Sequence, residues 1–262
     1  MSNIQVMPDG AKQIKDMKLD SDSLIYNQHR FHTKQLSYQA PIAGTVYGVL
    51  LNDKRYVQSM DKAFHQAPYN NPPVHPVMYL KPINTINGHL KAIPMPKGET
   101  VVQINAAVGM VIGKTAVNVT VEDALDYVSG YTIVNDVSIP HNDFHRPNIK
   151  NKVRDGFCPI GPWIMEKKAI PNPNALTMRV NINEEIKQEI HTKHVVREAA
   201  NLLSEISEFM TLTEGDVLLL GIFDGAPHAQ IGDTVRIDVE KIGSLENTIV
   251  SEVEWTSGGD VS

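Results

Sequence analysis

The sequence predicts a β-rich α+β domain, with a mixed sheet rolled or closed into a barrel and few helices. Two observations carry this. After Gly215 the chain is dense in strand-like runs, at Val217–Ile222, Thr234–Glu240 and Thr248–Val253. Only two stretches before it repeat apolar residues at a period close to that of a helix.

Taken in order, residues 1–42 read as a polar N-terminal appendage with short strands, and 43–255 as the main domain. The run 43–52 is apolar and rich in β-formers, which predicts a buried strand. A helical stretch over Arg55–Phe64 follows, and then Ala67-Pro68-Tyr69-Asn70-Asn71-Pro72-Pro73, where prolines and asparagines forbid regular structure. Val77–Leu80 predicts a strand leading into Lys81-Pro82, and 101–113 another ending at Gly113. Thr120 is placed to cap a helix over Val121–Ser129, with Asp123 completing a capping box and Gly130 as the stop. Residues 131–135 return to strand. A second helix over Val195–Met210 carries Val196, Ala199, Leu202, Leu203 and Ile206 on one face.

Composition narrows the function. Hydrophobic residues make up 42% of 262, enough for a sizeable core. The formal net charge is −6 and no dense Lys/Arg run occurs, which argues against nucleic acid as a partner. The single cysteine, Cys158, excludes an internal disulfide and suits a reducing cytoplasm. The polar N-terminus lacks a signal-peptide core, and no apolar run approaches the ~20 residues that span a bilayer. A cytoplasmic protein without a membrane partner is expected.

Asn135-Asp136 follows an apolar strand, so this carboxylate belongs at a strand end. Lys150, Lys152 and Arg154 then gather with Asp155 in a loop containing Gly156. Such a group can hold an anionic substrate, because Lys and Arg give charge-assisted hydrogen bonds to carboxylates. It can equally be a solvated loop with surface ion pairs of little energetic weight. The pairs His141/His145 and His191/His194 have helical spacing, but no cysteine or carboxylate framework completes a tetrahedral metal site around them. Cys158 reads as a small packing residue, not a nucleophile.

Several ordered motifs resemble the fumarylacetoacetate hydrolase family. The run from Ile104 to Lys114, ending in Val111-Ile112-Gly113-Lys114, is similar to the segment that carries the family's metal-binding glutamates and the hydrophobic run after them. Gly130-Tyr131 through Asn135-Asp136 resembles its Gly-Tyr-x-x-x-Asn-Asp, and Lys152 through Pro162 its Lys-x-x-Asp-x-x-x-Pro-x-Gly-Pro. Leu212-Thr213-Glu214-Gly215-Asp216, Ile231-Gly232-Asp233 and Gly243-Ser244-Leu245-Glu246-Asn247 match its closing turns. Ala63-Phe64-His65-Gln66-Ala67-Pro68-Tyr69, Lys81-Pro82-Ile83-Asn84-Thr85 and Arg146-Pro147-Asn148 point to the decarboxylase/isomerase branch that serves 4-hydroxyphenylacetate (homoprotocatechuate) catabolism, and within it to a first half or subunit.

The resemblance implies a fumarylacetoacetate hydrolase-like fold. It also implies a lyase and isomerase chemistry in which a divalent cation holds an enolisable keto acid and stabilises the enolate formed as carbon dioxide leaves. The implied substrate is 5-oxopent-3-ene-1,2,5-tricarboxylate, and the implied product 2-oxohept-3-enedioate with its 2-hydroxyhepta-2,4-diene-1,7-dioate tautomer. By the same correspondence Lys152 and Asp155 are candidate catalytic residues, Asn135 and Arg154 candidate substrate contacts, and Asp136 a metal ligand.

The chain departs from that pattern at the metal. The two glutamate positions hold Asn105 and Ala107, so Asp136 is the one matching ligand. The early Asn-Tyr-x-x-His becomes Asn52-Asp53-Lys54-Arg55-Tyr56, and the Thr-Gly-Thr-Pro loop becomes Leu220-Gly221-Ile222-Phe223. Hard cations prefer carboxylate oxygens, so Mg²⁺ or Mn²⁺ is expected to bind weakly or not at all. A buried Asp136 without its cation is expected to pair with Lys152. The chain is then expected to work as a homodimer, or as a heterodimer with a metal-binding paralogue, on a small keto or hydroxy di- or tricarboxylate. The competing readings are a weak isomerase using Lys152 as acid/base group, and a non-catalytic ligand-binding or structural member of the same fold.

Overall fold

The computed structural model describes residues 1–33, 36–141 and 148–257. Its centre is four neighbouring strands, Cys158–Glu166, Val128–Asn135, Ala106–Ile112 and Val217–Leu219, within a 12-stranded mixed sheet. Ala106–Ile112 is buried at every position, so it is apolar throughout instead of alternating. Five further strands, among them Thr177–Ile182, Thr234–Val239 and Gly243–Ser251, form a second sheet. The fold is the β-rich α+β class expected, and the longest described helix, Ala199–Phe209, has 11 residues. No helix among the described residues is long and apolar enough to cross a membrane.

The central sheet is covered on both faces. Val108, Met110, Ile112, Tyr131 and Ile133 point into the main core, with Ile237, Leu245 and Ile249 of the second sheet. Ala107, Val111, Val134, Cys158 and Ile160 point the other way into a smaller cluster with Val46 and Val217. Residues 1–42 hold the strand Ser2–Pro8, which pairs Ile4 with Met165 and carries the Lys15–Asp20, Ser23–Tyr26 and His29–His32 meander outward from the central sheet.

Four local expectations are corrected. No α-helix forms over Val121–Ser129: a 3-10 turn at Ala124–Tyr127 gives way to the strand beginning at Val128. The predicted Thr120 cap is present, with the Asp123 N–H donating to its Oγ1 at 3.4 Å. Strand pairing overrides it, because Gly130 lies opposite Val111 and Glu166. Gly130 is there for close approach, not as a helix stop, since a Cβ would lie 2.3 Å from the Met165 carbonyl oxygen. The second helix begins at Ala199, because Val195 is held in a bridge to Asp53. The last strand runs Gly243–Ser251, and Glu252–Ser257 is helical. Lys150 and Lys152 lie in a short helix, Ile149–Lys152, ahead of the turn at Gly156.

Candidate functional site

Strand register builds the site. Ala107 pairs with Val134, and the Asp136 N–H donates to the Asn105 carbonyl at 2.9 Å. Residues 105, 107, 134 and 136 therefore project to one face of the sheet, the face of the smaller cluster. Residues 105, 107 and 136, the positions at which the resemblance implies metal ligands, are thus brought together. Ala107 supplies no donor atom, and Asn105 turns its Nδ2 to the Asp136 carbonyl oxygen at 2.8 Å.

Asp136 is fully buried, and its carboxylate is already engaged. Lys81 Nζ lies 2.9 Å from Oδ1, and Lys152 Nζ lies 3.0 Å from Oδ2. The Tyr79 hydroxyl donates to Oδ2 at 2.5 Å. Burial pushes this carboxyl up, but the Lys152 and Lys81 ammonium groups and the Tyr79 hydroxyl outweigh it and hold it well below the usual carboxylate range. Burial, followed by the Asp136 charge, pushes the Tyr79 phenol well up, so Tyr79 stays a neutral donor.

The sequence expectation of an Asp136–Lys152 pair is met, and Lys81 joins it. Lys81 was not singled out as a site residue, although a signal was there. It closes an otherwise apolar strand, Val77–Lys81, and period-2 alternation puts it on the face of Tyr79. Gly48 makes this possible. It lies directly across from Tyr79, and a Cβ there would fall 2.0 Å from the ring. The Tyr79 ring lies over Gly48 and also faces Lys152, whose Nζ is 4.6 Å from the ring centroid.

The other candidates sit apart from this group. Asp155 is exposed and accepts from Asn84 Nδ2 at 2.7 Å. Arg154 Nε donates to the Lys150 carbonyl at 3.1 Å. Asn135 projects to the opposite face from Asp136, and its buried amide has no hydrogen-bond partner among the described residues. Burial pushes the Cys158 thiol up to about 12, which suits its packing role. The rings of His191 and His194 lie 6.2 Å apart, while His145 of the other pair lies outside the described residues, as do Arg146 and Pro147. Among the described residues no three His, Cys, Asp or Glu side chains converge as a metal site would require.

A metal does not fit these donors. The one carboxylate has a lysine on each oxygen, and a cation bound to it would have to displace an ammonium group while gaining no second carboxylate. Beside the ion group lies a cavity of about 240 Å³, lined by Asn105, Ser138, Lys152, Phe223 and Asp224 among others. A larger open groove of about 1000 Å³, bordered by Trp163, Arg179 and Arg236, contains neither Asp136 nor Lys152. Of the charged group, Lys152 alone lines the smaller cavity, which is therefore the candidate site.

Comparison with known proteins identifies the family. Residues 45–250 match the family described as fumarylacetoacetate (FAA) hydrolase, C-terminal. A 4-hydroxyphenylacetate degradation bifunctional isomerase/decarboxylase of Escherichia coli is 44% identical over 214 residues, 82% of this chain and 49% of that protein. The chain thus spans about half the length of that relative. A 2,4-didehydro-3-deoxy-L-rhamnonate hydrolase of Sphingomonas sp. (strain SKA58) is 33% identical over 198 residues, covering 72% of this chain and 68% of that one. The crystal structure of a 5-carboxymethyl-2-hydroxymuconate delta-isomerase from Mycobacterium smegmatis superposes with a TM-score of 0.78 at 28% identity, covering 96% of this chain and 99% of that one. The chain belongs to the fumarylacetoacetate hydrolase family.

Proposed function

We propose that this chain is a subunit of a decarboxylase/isomerase of 4-hydroxyphenylacetate catabolism whose own metal site is degenerate. In this reading, decarboxylation of the oxo-tricarboxylate needs a paralogue bearing Glu-x-Glu and Asp. The observation that carries it is the engagement of both Asp136 oxygens by Lys81 and Lys152, with Asn105 and Ala107 beside them. The names of its relatives, isomerases and a bifunctional isomerase/decarboxylase, support the reaction class. The region from about residue 43 to 255 carries the site, and we treat 1–42 as an addition to it. Pairing of two domains can fix a partner's loops without contributing a metal ligand.

The residues present can still act on an anion. Lys152 offers an ammonium group to a carboxylate or enolate oxygen, and Asp136 keeps that ammonium in place. No proton can pass readily through Asp136 near neutral pH, because its neighbours hold it ionised.

The test is carbon dioxide release from the oxo-tricarboxylate, with the chain alone and with the paralogue added. Negligible turnover alone and full turnover with the paralogue is expected, and chelator should leave the melting temperature of the isolated chain unchanged. Asn105→Glu with Ala107→Glu should create calorimetrically measurable Mg²⁺ or Mn²⁺ binding, since both carboxylates return. Robust turnover by the chain alone, lost on Lys152→Ala, would overturn the supporting-subunit reading and favour a metal-independent isomerase.

A further inference from the structure

Away from the Asp136 group, one half-buried histidine joins the N-terminal strands to the second sheet. His89 lies in the loop between the strands Ile86–Asn87 and Ala92–Met95. Its Nδ1 accepts the Glu246 N–H at 3.0 Å, from the strand Gly243–Ser251. Its ring lies 5.6 Å from that of Tyr38, and the two residues form an isolated bridge. The Leu90 N–H donates to the Glu246 carbonyl at 2.7 Å, and Asn247 Nδ2 donates to the Gly88 and Lys91 carbonyls at 2.8 Å each. Of the bonds that staple this loop to Glu246 and Asn247, the one at His89 is the one a proton can break. Leu90 is held at φ +61°, a left-handed conformation unfavourable for leucine, so the loop is strained and gains by release.

A neutral imidazole that accepts at Nδ1 carries its proton on Nε2. An imidazolium donates at both nitrogens, so protonation would set an Nδ1–H against the Glu246 N–H and leave both donors without an acceptor. The surrounding carboxylates do not offset this. Asp9 is paired with Lys91 at 2.9 Å, and Asp238 with Arg236 at 3.1 Å. Glu246 and Asp22 border the same groove as His89, and neither side chain bonds the ring among the described residues. Burial pushes the Tyr38 phenol up to about 12, so it brings no charge. Burial likewise pushes His89 down to about 4 from its usual 6.5. With the folded value lowered, the neutral contact is intact above 6.5 and is lost as pH falls from there to about 4.

We propose that His89 is an acid-released latch: neutral, it fastens the loop 87–91 to Glu246 and Tyr38, and protonated it lets that loop go and opens the groove between the N-terminal strands and the second sheet. The groove of about 1000 Å³ is lined by Leu19 and Thr33 on one side and by Arg236 and Ser244 on the other, with His89 between them, so the charged ring has room to turn towards water. The latch involves neither Asp136 nor Lys152, and it is independent of the reaction the chain supports.

The experiment is amide hydrogen exchange on the full chain as pH is lowered from neutral, corrected for the intrinsic exchange rate at each pH. Opening at the Leu90 and Glu246 amides should become about tenfold easier for each pH unit below 6.5, the slope for uptake of one proton, while the strand Ala106–Ile112 keeps its protection. His89→Asn keeps an acceptor near the Nδ1 position and takes up no proton, so the same amides should lose their pH response. His89→Phe has no acceptor and should leave the Glu246 amide weakly protected at neutral pH already. If neither variant folds, NMR titration of the wild-type imidazole carries the test, with protonation of His89 and loss of Glu246 protection expected together. Protonation of His89 that leaves the Glu246 amide as protected as before overturns the proposal. So does a pH response that persists in folded His89→Asn, or one spread evenly over both sheets.

Discussion

The Lys81 side of Asp136 and the Lys152 side use the same chemistry to different ends. Lys81 ends a strand, is 1% exposed, and gives its ammonium group to the carboxylate and two backbone carbonyls. Those carbonyls belong to Val137 and Lys152, so the ammonium ties the strand end at Asp136 to the short helix Ile149–Lys152. Lys152 sits on that helix, faces an aromatic ring and a cavity, and has one hydrogen-bond acceptor among the described residues. A fully buried charge that is ion-paired and bonded to two backbone carbonyls holds a structure together. One with donors to spare is poised for a ligand.

The largest expected effect is on the structural side. Lys81→Met leaves two carbonyls without a donor and Asp136 with one cation, and should cost roughly 3–5 kcal/mol in a urea titration, the scale for breaking a buried ion pair. A loss below about 1 kcal/mol, within surface-pair range, would erase the distinction between the two lysines. Next comes Gly48→Ala. Its methyl group would strike the Tyr79 ring, which must move off Asp136 and Lys152, so a destabilisation of about 1–3 kcal/mol is expected from overpacking. A crystal structure with Tyr79 undisplaced and an unchanged melting temperature would show that Gly48 is not what seats the ring.

The smallest effect sharpens the Lys152 side. Asp136 has a depressed pKa, so its stabilisation is complete above the unfolded value of about 3.9 and is lost as pH falls through the lower folded value. Lys152→Met removes one of the charges that lower it. The acid-unfolding midpoint should therefore rise modestly, while stability at neutral pH falls less than in Lys81→Met. An identical acid profile for wild type and Lys152→Met would mean that Lys152 contributes nothing to the Asp136 charge.

Much of the fold is legible in the chain itself. The apolar run through Ala106–Ile112 and the strand-dense tail specify a β-rich fold, because burial on both sides of a sheet demands continuous apolar sequence. Asp136 follows an apolar strand and so belongs at a strand end, a reading that needs only residue type and local order, whereas Asn105 and Ala107 stand out only through the family resemblance. Tertiary structure alone decided where the isolated charges went. Nothing in the sequence says that Lys81 and Lys152, 71 residues apart, meet on one carboxylate, because that depends on register between distant strands. The same holds for Gly130, whose neighbourhood reads as a helix stop until the Met165 carbonyl is seen to need its missing Cβ. Arg154 and Asp155 lie within three residues of Lys152, yet Arg154 bonds back to the Lys150 carbonyl and Asp155 accepts from Asn84, and neither lines the cavity. Local propensity chooses segments, whereas pairing partners and packing choose which of their charges are buried together.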